Sequence, residues 1–345
     1  MSEPILSIII PLYNSGKIIE KVVSNILSAN IDVSLLEIIL IDDGSLDNTK
    51  EVCKKIFTKH KNVHYYWKEN GGLASSRNYG VTKAHGKYLF FHDHDDLLVA
   101  ENLYKVLSIL GLYNSDLLIF ESATIVNGAV KPLCVINKKF DGAILNEKQK
   151  ESIFRCLLFI PNRLQITNKI GQIWSVLVKR EFVLKHQMKF VIRCDYEDDY
   201  VFILECLLKQ DCLISCHKTI IYNWIIYPQS QSHALKFNPG FMDKVEKYLL
   251  YLKDAISASK FSKYANQCLS NIRWRKTRDF LLTFGRGDNI DKSYENFIHI
   301  CQKNDIRNIM ISRTYFKKSR NQKALTFMFC MKMYKLCFKK IVIER

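Results

Sequence analysis

The sequence predicts an α/β fold in which a mostly parallel central sheet carries helices on both faces, followed by a helical, basic C-terminal region. Two patterns in the first half lead there. Apolar runs of strand length alternate with stretches whose apolar residues recur three and four positions apart, and polar turns separate them. Such alternation describes strand–helix–strand units, which bury a parallel sheet between layers of helices. Beyond Pro239 the spacing becomes helical throughout, and 23 Lys and Arg stand against nine Asp and Glu from Gly240 onward. The division expected from this change is residues 1–235 and 236–345.

Taken in order, residues 5–10 form an apolar strand closed by Pro11, and residues 15–29 place Ile18, Ile19, Val22, Val23, Ile26 and Leu27 on one helical face. Residues 36–41 make a second strand, stopped by Asp42-Asp43-Gly44-Ser45. Asp47-Asn48-Thr49 can cap a helix running to about His60. Strand 63–67, helix 73–84, strand 87–91, helix 102–112 and strand 116–125 continue the alternation. A different texture follows: a hairpin over 127–141, a helix over 147–159, a strand over 173–178, and helices over 180–186 and 196–209. Residues 212–227 suggest two short strands around Lys218.

With 345 residues and 48% apolar content the chain can bury one large core or two. Glu3 and Pro4 occupy the place of a basic signal region, and no stretch nears the roughly 20 apolar residues of a membrane span, so a cytoplasmic protein is expected. Eleven scattered cysteines in a chain this long read as reduced thiols, and Cys212 and Cys216 have no second pair to complete a zinc site. Of the net charge of +17, only about +3 falls on the first 239 residues. The C-terminal region therefore carries the basic surface. No nucleic-acid motif accompanies it, which points away from nucleic acid.

Asp93-His94-Asp95-Asp96 comes directly after the apolar run Tyr88-Leu89-Phe90-Phe91. A buried strand thus delivers carboxylates to its carboxyl end, where open α/β sheets bind ligands, and hard oxygen ligands suit Mn2+ or Mg2+ with the phosphates they carry. Tyr13, after the first strand, and Asp43, after the second, are the residue types that hold a nucleotide base. Asn70-Gly71-Gly72 runs into a helix bearing Arg77. Neither the dinucleotide fingerprint nor the P-loop spacing occurs, which disfavours NAD enzymes and P-loop NTPases.

These residues resemble the inverting family 2 glycosyltransferases of the GT-A, Rossmann-like fold. The resemblance rests on an ordered set: Ser7-Ile8-Ile9-Ile10-Pro11-Leu12-Tyr13-Asn14, Asp42-Asp43-Gly44-Ser45, Asn70-Gly71-Gly72 with Arg77-Asn78-Tyr79-Gly80, Asp93-His94-Asp95-Asp96-Leu97, and Tyr196-Glu197-Asp198-Asp199. Ile173-Trp174-Ser175 through Arg180-Glu181-Phe182 resembles the segment before the last motif, so the set spans residues 5–233. It implies a nucleotide-sugar donor, often a UDP-sugar, and a glycan or lipid-linked glycan acceptor of a surface polysaccharide such as lipopolysaccharide or capsule. Carried over by position, Pro11, Tyr13 and Asp43 line the base pocket, Arg77 lies near the diphosphate, and Asp93 meets ribose or the metal-bound nucleotide. Asp95 coordinates the cation, with His233 as a further contact, and Asp198 is the general base.

Glu197 and Asp199 remain rival bases, and His94 either adds a nitrogen ligand or faces solvent. Trp174 either stacks on sugar or packs in the core. Near the end, Phe327, Phe329, Leu336 and Phe338 alternate with lysines, which suits an anionic membrane surface at the inner face of the cell membrane or a plain docked helix. Two rival functions stand beside the transferase. A nucleotidyltransferase would need a Gly- and Lys/Arg-rich activation loop near the start, and none is there; a degenerate binding scaffold would not need Asp93, Asp95 and Asp198.

Overall fold

The computed structural model describes residues 3–191, 198–226, 240–284, 290–302, 304–312 and 318–343. Its chain forms two compact units, Met1–Leu157 with Leu164–Tyr227, and Leu158–Arg163 with Pro228–Arg345.

In the first unit β1 (Leu6–Leu12), α1 (Ile19–Leu27), β2 (Leu36–Asp43), α2 (Thr49–Lys59), β3 (Val63–Lys68), α3 (Gly72–Lys83) and β4 (Tyr88–Phe91) reproduce the expected alternation. Every residue of β1, β2 and β4 is buried, as in interior strands covered on both faces. One cover is α1, which buries Ile19, Val22, Val23 and Ile26 at helical spacing. The other is α3, which lies so close that a Cβ on Gly80 would meet Ile9 Cγ2 at 2.3 Å. Only glycine allows that approach.

The chain continues with β5 (Leu97–Leu98), α4 (Leu103–Leu112), β6 (Leu117–Val126), β7 (Ala129–Cys134), α5 (Glu147–Leu157), β8 (Val176–Lys179), α6 (Arg180–Lys185), α7 (Asp198–Leu208) and β9 (Ile214–Ile225). A hairpin does form, but between β6 and β7 rather than within residues 127–141; Asn127 and Gly128 both take positive φ, which matches its turn to the strand twist. The sheet runs β3-β2-β1-β4-β8-β6-β9-β5, with β7 beside β6. Its β3-β2-β1-β4 half is parallel, and the other half is mixed, since β8 is antiparallel to both β4 and β6. Because β9 is parallel to β6, strands β1, β2, β3, β4, β6 and β9 all point the same way. Their carboxyl ends share one edge.

Three details differ from expectation. Residues 173–175 form a 3-10 turn before β8 rather than part of the strand, and β5, only two residues long, went unread. The two strands expected around Lys218 are one strand, β9, whose register against β6 shifts between Phe120 and Ser122. A bulge of this kind breaks the local pattern without ending the strand.

The second unit contains α8 (Phe241–Ser257), α9 (Ala265–Thr283), α10 (Ile290–Gln302), α11 (Asn304–Ile311), α12 (Arg320–Cys330) and α13 (Tyr334–Ile343). Trp274, Phe280, Phe284, Phe297, Phe329 and Phe338 form its core, and the buried Trp274 indole donates to the Met310 carbonyl at 3.0 Å. Ser319 and Gln322 close a capping box at the start of α12. No helix among the described residues is long and apolar enough to cross a membrane.

Candidate active site

Two polar turns leave the adjacent strands β1 and β2, paired so that Leu12 faces Asp42 across the ladder. Pro11 is buried within β1, and Tyr13, one residue beyond the strand, is 45% exposed. The turns are laced together: Asn14 N–H donates to Ser45 Oγ at 2.9 Å, Leu46 N–H to Asn14 Oδ1 at 2.8 Å, and Ser15 N–H to Thr49 Oγ1 at 2.8 Å. Asp42 closes the second turn from below. It is buried and accepts from Ser45 N–H at 2.9 Å and from the Tyr65 hydroxyl at 2.7 Å.

Asp43 points to the other face, toward the start of α3. It accepts from Gly71 N–H at 3.0 Å, from Gly72 N–H at 2.8 Å and from Lys68 Nζ at 2.5 Å. Gly72 has φ +81°, which lets its amide turn inward without a Cβ penalty. Burial alone would raise the Asp43 carboxyl; Lys68, the two amides and Ser76 outweigh it and hold it below the ordinary carboxylate range.

β4 delivers the acidic turn to the same edge. Asp96 is buried and accepts from the Tyr222 hydroxyl and from Ile225 N–H, both at 2.7 Å, which ties the turn to β9. Burial, helped by the charge of Asp93, pushes the Asp96 carboxyl up to about 8. Asp93 stands higher in the turn, with 29% of its side chain exposed; its N–H donates to Tyr222 Oη at 3.2 Å. Burial raises its carboxyl above the ordinary range, Arg77 opposes the shift and Asp95 adds to it. Asp95 is partly exposed and makes no hydrogen bond or ion pair with a described residue.

Arg77, on the buried side of α3, is the hub of this edge. One nitrogen reaches Asp93 at 3.1 Å, another is hydrogen-bonded to Asp199 in the first turn of α7, and the guanidinium lies 5.3 Å from the Phe190 ring. Asp199 also accepts from Ile173 N–H at 3.2 Å. The acidic turn and the first turn of α7 therefore meet on one guanidinium.

Of the residues expected at the site, Pro11, Tyr13, Asp43, Arg77, Asp93 and Asp95 all lie at this carboxyl edge or on α3 beside it. Asp198 is the first residue of α7, but its side chain, like Glu197 and His233, lies outside the described residues. Trp174 belongs to the core: it is 5% exposed and stacks on Tyr222 with ring centroids 4.7 Å apart. Sequence reasoning missed Lys68, Tyr222 and the arginine–Asp199 pair. Lys68 ends a strand beside Asp43 and was in principle readable; nothing local marks the other two.

Among the described residues no three His, Cys, Asp or Glu side chains cluster as a closed metal site. Asp93 and the unpartnered Asp95 are an open pair. That fits a hard cation that draws most of its shell from phosphate oxygens and water.

The glycosyl transferase family 2 model matches residues 7–129. An uncharacterized glycosyltransferase of Haemophilus influenzae is 30% identical over 220 residues, covering 62% of this chain and 77% of that protein. The chain belongs to glycosyltransferase family 2. Glycosyltransferase GlyG of Streptococcus pneumoniae is 39% identical over 108 residues, which are 31% of this chain and 35% of that protein. The minor teichoic acid biosynthesis protein GgaB of Bacillus subtilis is 32% identical over 112 residues, 32% of this chain and 12% of that one, so the chain spans a minor part of both. Staphylococcus aureus TarS 1–349 in complex with UDP-GlcNAc shares the fold: TM-score 0.64 at 16% identity, over 97% of this chain and 90% of that one. The matched segment of this family 2 glycosyltransferase holds the expected site residues up to the acidic turn, whereas α7 and β9 lie beyond it.

Proposed function

We propose that the chain is a metal-dependent, inverting glycosyltransferase that moves a sugar from a UDP-sugar to a hydroxyl of a glycan or lipid-linked glycan in bacterial surface-polysaccharide biosynthesis. The observation that carries this reading is Arg77, which joins Asp93 of the acidic turn to Asp199 of α7. That bridge supports the reading, since it ties the first turn of α7, which begins at residue 198, to the acidic turn. Relatives support the donor class: TarS holds UDP-GlcNAc on the same fold, and GgaB takes part in teichoic acid synthesis.

In this reading Tyr13 and Asp43 hold the base, with Pro11 shaping the floor, and Asp93 and Asp95 hold Mn2+ or Mg2+ with the diphosphate; His233 is a further candidate contact. The cation, when bound, stabilises negative charge on the departing phosphate oxygens. Asp198 takes the proton from the acceptor hydroxyl as its oxygen attacks the anomeric carbon. The bond from that carbon to the diphosphate breaks with its electron pair on the leaving oxygen, so one displacement inverts the centre and releases UDP. Arg77 holds Asp93 and the first turn of α7 together. The basic second unit places the enzyme at the anionic inner face of the cell membrane, where lipid-linked acceptors are held.

The test is a screen of UDP-sugars with Mn2+ by thermal shift, followed by NMR of the transfer product. A bound donor raises the melting temperature by mass action. Inverted anomeric configuration is expected; a retained configuration, or no shift with any nucleotide sugar, overturns the reading.

A further inference from the structure

We infer that the corner between α12 and α13 is a membrane-contact wedge for an anionic bilayer. It rests on the transferase reading only in supposing that a lipid surface is where this enzyme works.

Four apolar side chains crowd the outside of this corner. Phe327 is 60% exposed, Met331 58%, Met333 36% and Leu336 45%, all within ten residues of chain. They are not a loose edge of the core, which the same helices fill with Leu325, Phe329, Cys337 and Phe338. Phe327 stands two positions from both Leu325 and Phe329, about 200° around the helix from each, so it projects from the opposite side. The corner is well built. Met331 N–H donates to the Phe327 carbonyl at 3.0 Å, Met333 N–H to the Met328 carbonyl at 2.8 Å and Leu336 N–H to the Met333 carbonyl at 3.1 Å. Lys332 turns the chain with φ +55°.

Charge selects the occupant. Residues 318–343 contain seven Lys and Arg and no Asp or Glu. Lys323, Lys332, Lys335 and Lys339 are exposed around the apolar tip. A contiguous apolar surface on a soluble protein marks a binding site. Ringed by cations with no acid among them, this one fits anionic headgroups over hydrocarbon better than a second copy of itself, whose own lysines would face it. With 11 and 10 residues, α12 and α13 are far too short to span, so the tip would enter only the headgroup and upper acyl region.

The experiment is flotation of the full chain with vesicles of pure phosphatidylcholine, and of phosphatidylcholine with phosphatidylglycerol, at low and high salt. Wild type is expected on anionic vesicles only, weakened by salt. Lys332→Glu/Lys335→Glu/Lys339→Glu should lower the partition by on the order of 100-fold. Phe327→Ser/Met331→Ser/Leu336→Ser should remove the binding that survives high salt. Donor-induced thermal shift, measured on the same samples, should be unchanged in both variants, which also shows that they fold. Wild-type affinity in either variant, or no anionic preference in wild type, overturns the wedge. If light scattering shows a dimer that the Ser variant splits while vesicle binding is unchanged, the face is a self-association surface and the wedge is wrong. Loss of the donor shift in wild type with vesicle binding intact would instead sink the transferase reading alone.

Discussion

At the end of β2, Asp42 is sealed beneath the turn by Ser45 and Tyr65, and Asp43 is saturated by Lys68, Gly71 and Gly72. At the end of β4, Asp96 is sealed in the same manner by Tyr222 and Ile225, yet Asp93 shares one arginine and Asp95 has no partner among the described residues. Each turn thus commits one carboxylate to closing the loop and leaves another at the shared carboxyl edge. What differs is how the presented carboxylate is kept. Asp43 is held by hydrogen bonds, which in the proposed function would make it a rigid recognition group for the base; Asp95 has no partner among the described residues, which would leave it open to a cation.

Carrying this division to a third acidic run, Asp198 and Asp199, yields the largest expected effect. Asp199 is already committed to Arg77 and Ile173 N–H, which sets it apart from Glu197 and from Asp198, the base of the proposed mechanism. Asp198→Asn should lower kcat by about 10²–10⁴-fold with donor affinity little changed. Asp199→Asn should mainly lower the melting temperature. If the two phenotypes come out exchanged in steady-state and thermal measurements, the division does not extend to α7.

The next contrast is Asp95→Ala against Asp96→Ala. The first should lower transfer by about 10²–10³-fold and abolish the metal dependence of donor binding at unchanged melting temperature, because it removes an electrostatic stabiliser and no internal contact. The second leaves the Tyr222 hydroxyl and Ile225 N–H unpaired and should cost about 1–3 kcal/mol in denaturant unfolding. Calorimetric titration of donor with and without EDTA separates them. Undiminished metal-dependent binding in Asp95→Ala would show that the open carboxylate is idle.

In the other turn Asp42→Ala should cost about 1–3 kcal/mol, since Tyr65 and Ser45 lose their acceptor. Asp43→Ala should cost a comparable amount, because Lys68 and the Gly71 and Gly72 amides lose their acceptor, and should in addition weaken UDP binding about tenfold, the loss of one charge-assisted hydrogen bond of about 1.5 kcal/mol. Equal UDP affinity in the two variants would erase the distinction between sealed and presented acids.

The last contrast is a pH dependence. The Asp96 carboxyl is pushed up to about 8, chiefly by burial, whereas an unfolded Asp ionises near about 4. A native state that holds a proton the unfolded chain releases loses stability as pH rises, so this contribution is fully present below about pH 4 and fades toward pH 8. Asp96→Asn cannot release that proton. In EDTA, unfolding free energies of wild type should fall relative to Asp96→Asn between pH 5 and pH 8; parallel curves would show that Asp96 is ionised throughout.

Much of this is legible in the sequence. The parallel half of the sheet follows from β1, β2 and β4, whose short, mostly apolar runs, bounded by turn residues, fit strands buried on both faces. The order of the acidic and glycine turns led to the family, and six of the expected site residues lie at one edge. The mixed half was harder, because apolar alternation reports which face of a strand is buried and says nothing about its direction. β8 shows this: its four residues match a parallel strand equally well, and only its neighbours β4 and β6 make it antiparallel.

What the sequence by itself determined is therefore local: element type, turn chemistry and the delivery of carboxylates to strand ends, each set by side-chain sterics and burial within a few residues. Tertiary structure decided which carboxylate is free. Arg77 finds Asp199, 122 positions along the chain, and Tyr222 finds Asp96, 126 positions away, in the opposite sense along it. Adjacent aspartates are chemically identical until such a partner arrives, and a partner so remote is chosen by the path of the backbone, which no local pattern encodes.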